Sequence, residues 1–277
     1  MQILFRHTIV TFLSSTFLAG AVCAGTVIIK GSDTLGAKLI PQLVETYRAT
    51  LDDGGENLAF EIAAEGSTTG VAAILEGSAD IGMLSRGLDA KEYRRAEIRG
   101  LELEILKVAR DGLAVIVNEN NPLTELSSQE VEAIFTGDIQ NWAALSLFAG
   151  DISIYTRSTA SGSFGAFQSL ALNNRDYSLN SQKMTGNEQI ASEVASNPYG
   201  IGYVGLAYTR TPGVKALPID GLMPDESGYT YERELYFLID KNREMSAEAR
   251  DFIDFCLNAR GQRIVTRINF LPSANTQ

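Results

Sequence analysis

Short apolar runs alternate with amphipathic stretches of helical period along most of this chain, a rhythm that restricts it to an α/β architecture built on a parallel or mixed sheet. Residues 26–30 are predicted as a strand, followed by a helix through Leu39, Leu43, Val44 and Tyr47 with Pro41 in its first turn. A polar segment, 52–57, leads to a strand at 58–63, a helix around Val71, Ile74 and Leu75 closed by Gly77, and a strand at 80–84. Residues 113–117 read as a buried strand. Ser127 and Glu130 form a capping-box pattern ahead of Val131, Ile134 and Phe135, and Gly137 stops that helix. Further strands are expected at 152–156, 202–206 and 234–240, with helices at 163–172 and 246–259.

Residues 1–24 read as a secretory signal: Arg6 supplies a positive charge, 9–22 are mostly apolar, and cleavage is expected after Ala24. The apolar run falls short of the roughly 20 residues that span a bilayer. The sequence carries a formal charge of −11, and about −12 once the leader with its single Arg6 is gone. Removing the leader also removes His7, the only histidine, and Cys23, one of two cysteines. Without imidazole there is no Ser-His-Asp or Cys-His catalysis, and no ordinary zinc site. We therefore expect no enzyme, no cofactor and no bound metal. Cys256 repeats with Ala249, Phe252, Ile253 and Ala259 at helical spacing and is expected in the core. The acidic balance and the lack of a basic cluster argue against nucleic acid as a partner.

Three segments share one layout, a strand, then a turn rich in small hydroxyl residues, then a helix. They are Gly31-Ser32-Asp33-Thr34, Glu65-Gly66-Ser67-Thr68-Thr69-Gly70 and Arg157-Ser158-Thr159-Ala160-Ser161-Gly162-Ser163. Glycine permits close approach of a ligand, the first helical N–H groups are unpaired, and the helix dipole puts partial positive charge there. Each alone reads as an ordinary helix cap. Together, gathered at the carboxyl ends of strands, they read as an oxyanion site, with Arg157 able to contact two ligand oxygens at once. Two near-motifs are rejected. Residues 31–38 resemble a nucleotide P-loop, but Ala37 and Leu39 interrupt the required Lys-Ser/Thr pair. Gly200, Gly202 and Gly205 have dinucleotide-fingerprint spacing but lie within a strand pattern.

With these clusters in this order, flanked by Ala79-Asp80-Ile81-Gly82, Leu126 to Phe135, Asn141-Trp142 and Asn197-Pro198-Tyr199-Gly200-Ile201-Gly202-Tyr203, the chain resembles the substrate-binding proteins of bacterial high-affinity phosphate ABC transporters. The resemblance implies a two-lobed periplasmic binding protein fold of type II, two mixed or parallel sheets flanked by helices with the ligand cleft between lobes. One lobe is expected at 25–108 plus 212–277, the other at 109–211. It further implies phosphate contacts from Thr34, Leu35, Ser67, Ser85, Arg157, Ser161, Gly162 and Ser163, delivery to a membrane permease, and a monomer in the periplasm.

Two positions depart from the pattern. Ser85 stands where many members carry an aspartate that accepts the proton still on phosphate, and Ser158 and Thr159 stand where many keep an acidic partner for the arginine. A serine can accept from phosphate but can also donate to sulfate. Asp33 is a candidate replacement acceptor, with a helix cap as its alternative role. A receptor for sulfate or molybdate, or a phosphate sensor without transport, are the alternative functions.

Overall fold

The computed structural model describes residues 25–51, 58–145 and 149–273; the expected leader at 1–24 and the polar segment at 52–57 lie outside them. In chain order the strands are β1 (Gly25–Gly31), β2 (Leu58–Ala63), β3 (Ile81–Leu84), β4 (Leu103–Asn118), β5 (Ser153–Arg157), β6 (Gln182–Met184), β7 (Gly200–Gly205), β8 (Val214–Ala216), β9 (Glu232–Asp240) and β10 (Leu271–Pro272). The helices are α1 (Ile40–Arg48), α2 (Ser67–Glu76), α3 (Ala90–Ile98), α4 (Ser128–Thr136), α5 (Gly162–Ala171), α6 (Asn187–Ser196), α7 (Ala247–Leu257) and α8 (Ala259–Arg267).

The strands hydrogen-bond in the order β2-β1-β3-β9-β4-β7-β5-β6. β1, β2 and β3 are parallel, as are β5, β6 and β7, whereas β9 runs antiparallel to both β3 and β4, and β4 antiparallel to β7. Two mixed sheets thus meet on β4. Its first ten residues pair with β9, and 113–118 pair with β7 and β8. Only its second half was expected from sequence. The reason is a bulge between Lys107 and Ala109, which breaks the two-residue alternation that would have revealed the first half.

Each sheet has its own core. Val27, Ile29, Leu39, Leu43, Phe237, Phe252 and Cys256 pack in the first, and burial pushes the Cys256 thiol up, as for an inert core cysteine. Leu113, Val115, Val131, Phe135, Trp142, Phe167 and Tyr203 pack in the second. Leu217, Ile219, Tyr229 and Tyr231 belong to that second core, and β8 pairs with the end of β4. The chain therefore returns to the first body at Tyr231 and Glu232, not at 212. Residues 211–231 hold one three-residue strand, so no periodic signal marks their allegiance. The Ser127–Glu130 capping box forms as expected, with Gly137 left-handed after α4. α3, opened by an Asp89–Glu92 capping box, and α6 were not anticipated.

Candidate anion-binding site

Every hydroxyl cluster lies just past the carboxyl end of a strand. Ser32, Asp33 and Thr34 follow β1, Ser67 opens α2 after β2, Ser85 follows β3, and Arg157 ends β5 ahead of Ser161 and α5. Such strand ends in open α/β sheets point into one crevice. Here the clusters of the two bodies meet. The Thr34 and Ser163 hydroxyls are 3.3 Å apart, the Thr68 N–H donates to the Ala160 carbonyl at 3.2 Å, and Gly162 packs so close to Ser67 and Ser85 that a β-carbon on it would lie 2.2 Å from Ser67 Oγ. Gly66 has φ +124°, and a β-carbon there would lie 2.6 Å from the Ala160 oxygen, so only glycine fits this crossing.

On the first body the hydroxyls form a chain: Ser32 to Ser85 is 2.6 Å and Ser85 to Ser67 is 3.2 Å. The Ser85 N–H donates to Ser67 Oγ and the Leu35 N–H reaches Ser32 Oγ at 3.4 Å. The three serines of this chain, Ser32, Ser67 and Ser85, are buried, as is Thr34 beside them. On the second body Ser161 caps α5 by accepting from the Ser163 N–H.

Arg157 is held from behind. Its N–H donates to the Tyr203 hydroxyl at 3.3 Å, that hydroxyl lies 3.2 Å from Tyr177, and Tyr203 stacks on Phe167 with centroids 4.0 Å apart. Burial pushes the Tyr203 phenol up to about 12, so it stays neutral. Arg157 is 1% exposed, and its guanidinium donates through Nη2 to the Thr185 carbonyl at 2.8 Å. Nε and Nη1 have no hydrogen-bond partner, although Nη1 lies 3.2 Å from Asp33 Oδ2 without the alignment a hydrogen bond needs. Burial draws its pKa down against the opposing pull of Asp33; an arginine keeps its proton even so. Buried guanidinium donors without acceptors are costly, and an oxyanion would satisfy them.

A family model described as a PBP superfamily domain matches residues 23–260. The chain belongs to the PBP superfamily. Among curated relatives, it is 29% identical to the phosphate-binding protein PstS of Pseudomonas aeruginosa, over 87% of this chain and 81% of that one. Its likeness to PstS of Bacillus subtilis is 27%, over 90% and 81%. Among solved structures, a putative phosphate ABC transporter substrate-binding protein with bound phosphate from Clostridium perfringens superposes with a TM-score of 0.79. That match is 29% identical and covers 90% of this chain and all of the other.

Within this PBP-superfamily chain, the residues the sequence nominated lie at the strand and helix ends where the two bodies meet, and Asp33 does not take the helix-cap role foreseen for it. Its Oδ2 accepts from the backbone N–H of Asn187 at 3.1 Å and from the Asn187 side-chain amide at 2.7 Å, so it caps α6 of the opposite body. The same oxygen faces Arg157, which explains the missing acidic partner at Ser158 and Thr159: the carboxylate comes from across the cleft.

Three residues escaped the sequence reading, Asp111, Asn187 and Arg233, while Ser32 was named only as part of its cluster. Arg233 had a signal, since the alternation Tyr231, Arg233, Leu235, Phe237 puts it on the buried face of β9, where a charge demands a partner. That partner is Asp111 of β4, which accepts from Arg233 Nη2 at 2.8 Å and Nε at 3.2 Å, and from the Leu206 N–H at 2.8 Å. Burial pushes the Asp111 carboxyl up, and Arg233 and that N–H oppose it. Arg233 also donates to Ser163 Oγ at 2.8 Å and Thr34 Oγ1 at 3.2 Å.

Proposed function

We propose that this protein binds inorganic phosphate outside the cytoplasm by closing two lobes around it, and delivers the anion as a monomer to the permease of an ABC transporter, without catalysing a reaction. The observation that carries the reading is the buried Arg157, whose Nε has no partner and whose Nη1 meets only the Asp33 carboxylate, at the end of a strand whose neighbouring hydroxyl turns meet across the two bodies. The names of the relatives and the bound phosphate in the Clostridium perfringens structure support phosphate over sulfate or molybdate. On this reading Thr34, Leu35, Ser67, Ser85, Arg157, Ser161, Gly162 and Ser163 contact the ligand. The lobes are 25–111 with 232–273, and 112–231, hinged where β4 and β9 pass between the two cores. Ligand contacts available only in the closed arrangement drive closure.

Titration calorimetry of the purified protein with phosphate, sulfate and molybdate at pH 5 and pH 8 tests this. Saturable phosphate binding with weaker or absent sulfate binding is expected. Arsenate, close to phosphate in size and protonation, binds alongside it. Heat from none of these anions would discard the receptor reading, and a preference for sulfate would move it to that anion.

In this scheme the acceptor for the proton on phosphate is the Ser85 hydroxyl, with Asp33 as the carboxylate that reinforces it. For Asp33→Ala, phosphate binding is expected to weaken about 10-fold, the scale of one charge-assisted contact, and selectivity over sulfate to fall. Unchanged selectivity in paired titrations leaves Asp33 only its part as the cap and ion pair across the cleft.

A further inference from the structure

We infer that the exposed face of α3, with the groove between α3 and α5, is the surface on which the membrane permease docks, and that the permease presents to it an acidic face bearing apolar side chains. This rests on the transport reading above and adds to it a place and a chemistry for the contact.

α3 stands out from the first body. Of its nine residues only Glu92 and Ala96 are buried, while Ile98 is 78% exposed and Tyr93 51%. Grooves flank it. One, of about 650 Å³, is lined by Tyr93, Glu97, Leu101 and Glu102, and another, of about 350 Å³, by Lys91, Arg94, Arg95 and Ile98. A third, of about 710 Å³, runs from Lys91 and Arg95 across to Ser169 and Leu170 of α5, so its two walls belong to different bodies. Leu170 is itself 37% exposed. Tyrosine and arginine are the side chains that most often carry the energy of protein–protein contacts, and apolar groups beside them add area that water leaves on docking. Grooves of side-chain size suit a folded protein face better than a lipid surface.

The charge of this face is opposite to that of the whole chain, −11. Lys91, Arg94 and Arg95 make no ion pair among the described residues. The carboxylates of the interlobe groove are already engaged: Glu92 with Arg86, Glu232 with Arg110 and Glu234 with Lys107, each at 2.7 Å or less, while Asp89 caps α3. Glu97 and Glu102 lie in the groove on the other flank. Three uncommitted cations beside the interlobe groove therefore select an acidic partner and orient this face toward it. The face is also tied to the anion site. Arg86, the residue after Ser85, grips Glu92 in the first turn of α3 through two hydrogen bonds of 2.7 Å, and Arg233, which reaches Ser163 of the second body, forms part of the groove wall. A permease that spans α3 and α5 thus touches both bodies in the arrangement that encloses the ligand.

The test is phosphate uptake by right-side-out membrane vesicles from producing cells deleted for this chain, supplied with purified protein and saturating phosphate, alongside calorimetry of the same proteins with phosphate. Arg94→Glu with Arg95→Glu should raise the protein concentration for half-maximal uptake roughly 10- to 100-fold, because like charges then face each other across the contact, while phosphate affinity stays at the wild-type value. Arg94→Lys with Arg95→Lys keeps the charge and should keep most of the uptake. Arg260→Glu with Arg263→Glu, the same charge change on the exposed side of α8, should leave uptake unaltered. Wild-type uptake by the α3 reversal, an equal loss in the α8 reversal, or a parallel loss of phosphate affinity would overturn the inference and leave the transport reading standing. Binding of wild type, but not of the α3 reversal, to phosphatidylglycerol vesicles would assign the face to lipid and refute a protein partner. A wild-type protein that binds no phosphate, or binds it and restores no uptake, would sink the transport reading and this inference with it.

Discussion

The Arg157→Met protein is expected to bind phosphate roughly 30-fold to a few thousand-fold more weakly than wild type while unfolding, without ligand, at an equal or higher temperature. The binding loss follows from truncating one side of a buried, hydrogen-bonded charge pair, which costs about 2–5 kcal/mol. The stability result follows from a guanidinium whose Nε has no partner and whose Nη1 meets Asp33 only as an ion pair, 3.2 Å away and out of hydrogen-bond alignment. Wild-type Arg157 is buried with Nε and Nη1 unsatisfied, so the ligand-free protein carries a desolvation penalty that a flexible apolar side chain of similar length removes. Asp33, which loses its facing cation, retains both Asn187 contacts and partial solvation. Calorimetric titration and thermal unfolding of the two proteins check both halves. Equal phosphate affinity would remove Arg157 from the site. Reduced affinity with a lower unfolding midpoint would make it a structural ion-pair member instead.

Gly162→Ala should be nearly as damaging to binding, by a different route. A β-carbon at Gly162 would stand 2.2 Å from Ser67 Oγ and 2.9 Å from Ser67 Cβ, across the cleft, and 3.1 Å from Ser85 Oγ. The clash exists only when the two bodies are together. The substitution therefore opposes closure while leaving each core untouched. Overpacking of this kind costs about 1–3 kcal/mol, which weakens phosphate roughly 5- to 150-fold if closure is coupled to binding. Small-angle scattering provides the second readout: the radius of gyration of the variant at saturating phosphate should exceed that of liganded wild type. Wild-type affinity and dimensions would show that Ser67 can yield, and that closure is not as tight as the contact implies.

The residues that make elements were legible because their signals are local. Leu39, Leu43, Val44 and Tyr47 share a helical face, Ser127 and Glu130 form a capping box, and Gly77 and Gly137 are left-handed after their helices. The hydroxyl clusters were equally visible, because a strand end, a glycine and a helix start lie within a few consecutive residues. What the sequence concealed depended on pairing between distant segments. The Lys107 to Ala109 bulge hid half of β4, and residues 214–231 joined the second core through packing by Leu217, Ile219, Tyr229 and Tyr231.

The sequence alone, then, determined the α/β class and the hydroxyl turns with Arg157, since each follows from residue type and short-range spacing. Only the tertiary structure decided how the charges are partnered. Asp33 is 124 positions from Arg157 and Asp111 is 122 from Arg233, yet each pair lies within 3.2 Å. A buried guanidinium must find its carboxylate wherever the fold brings one, and no local pattern records which one that is.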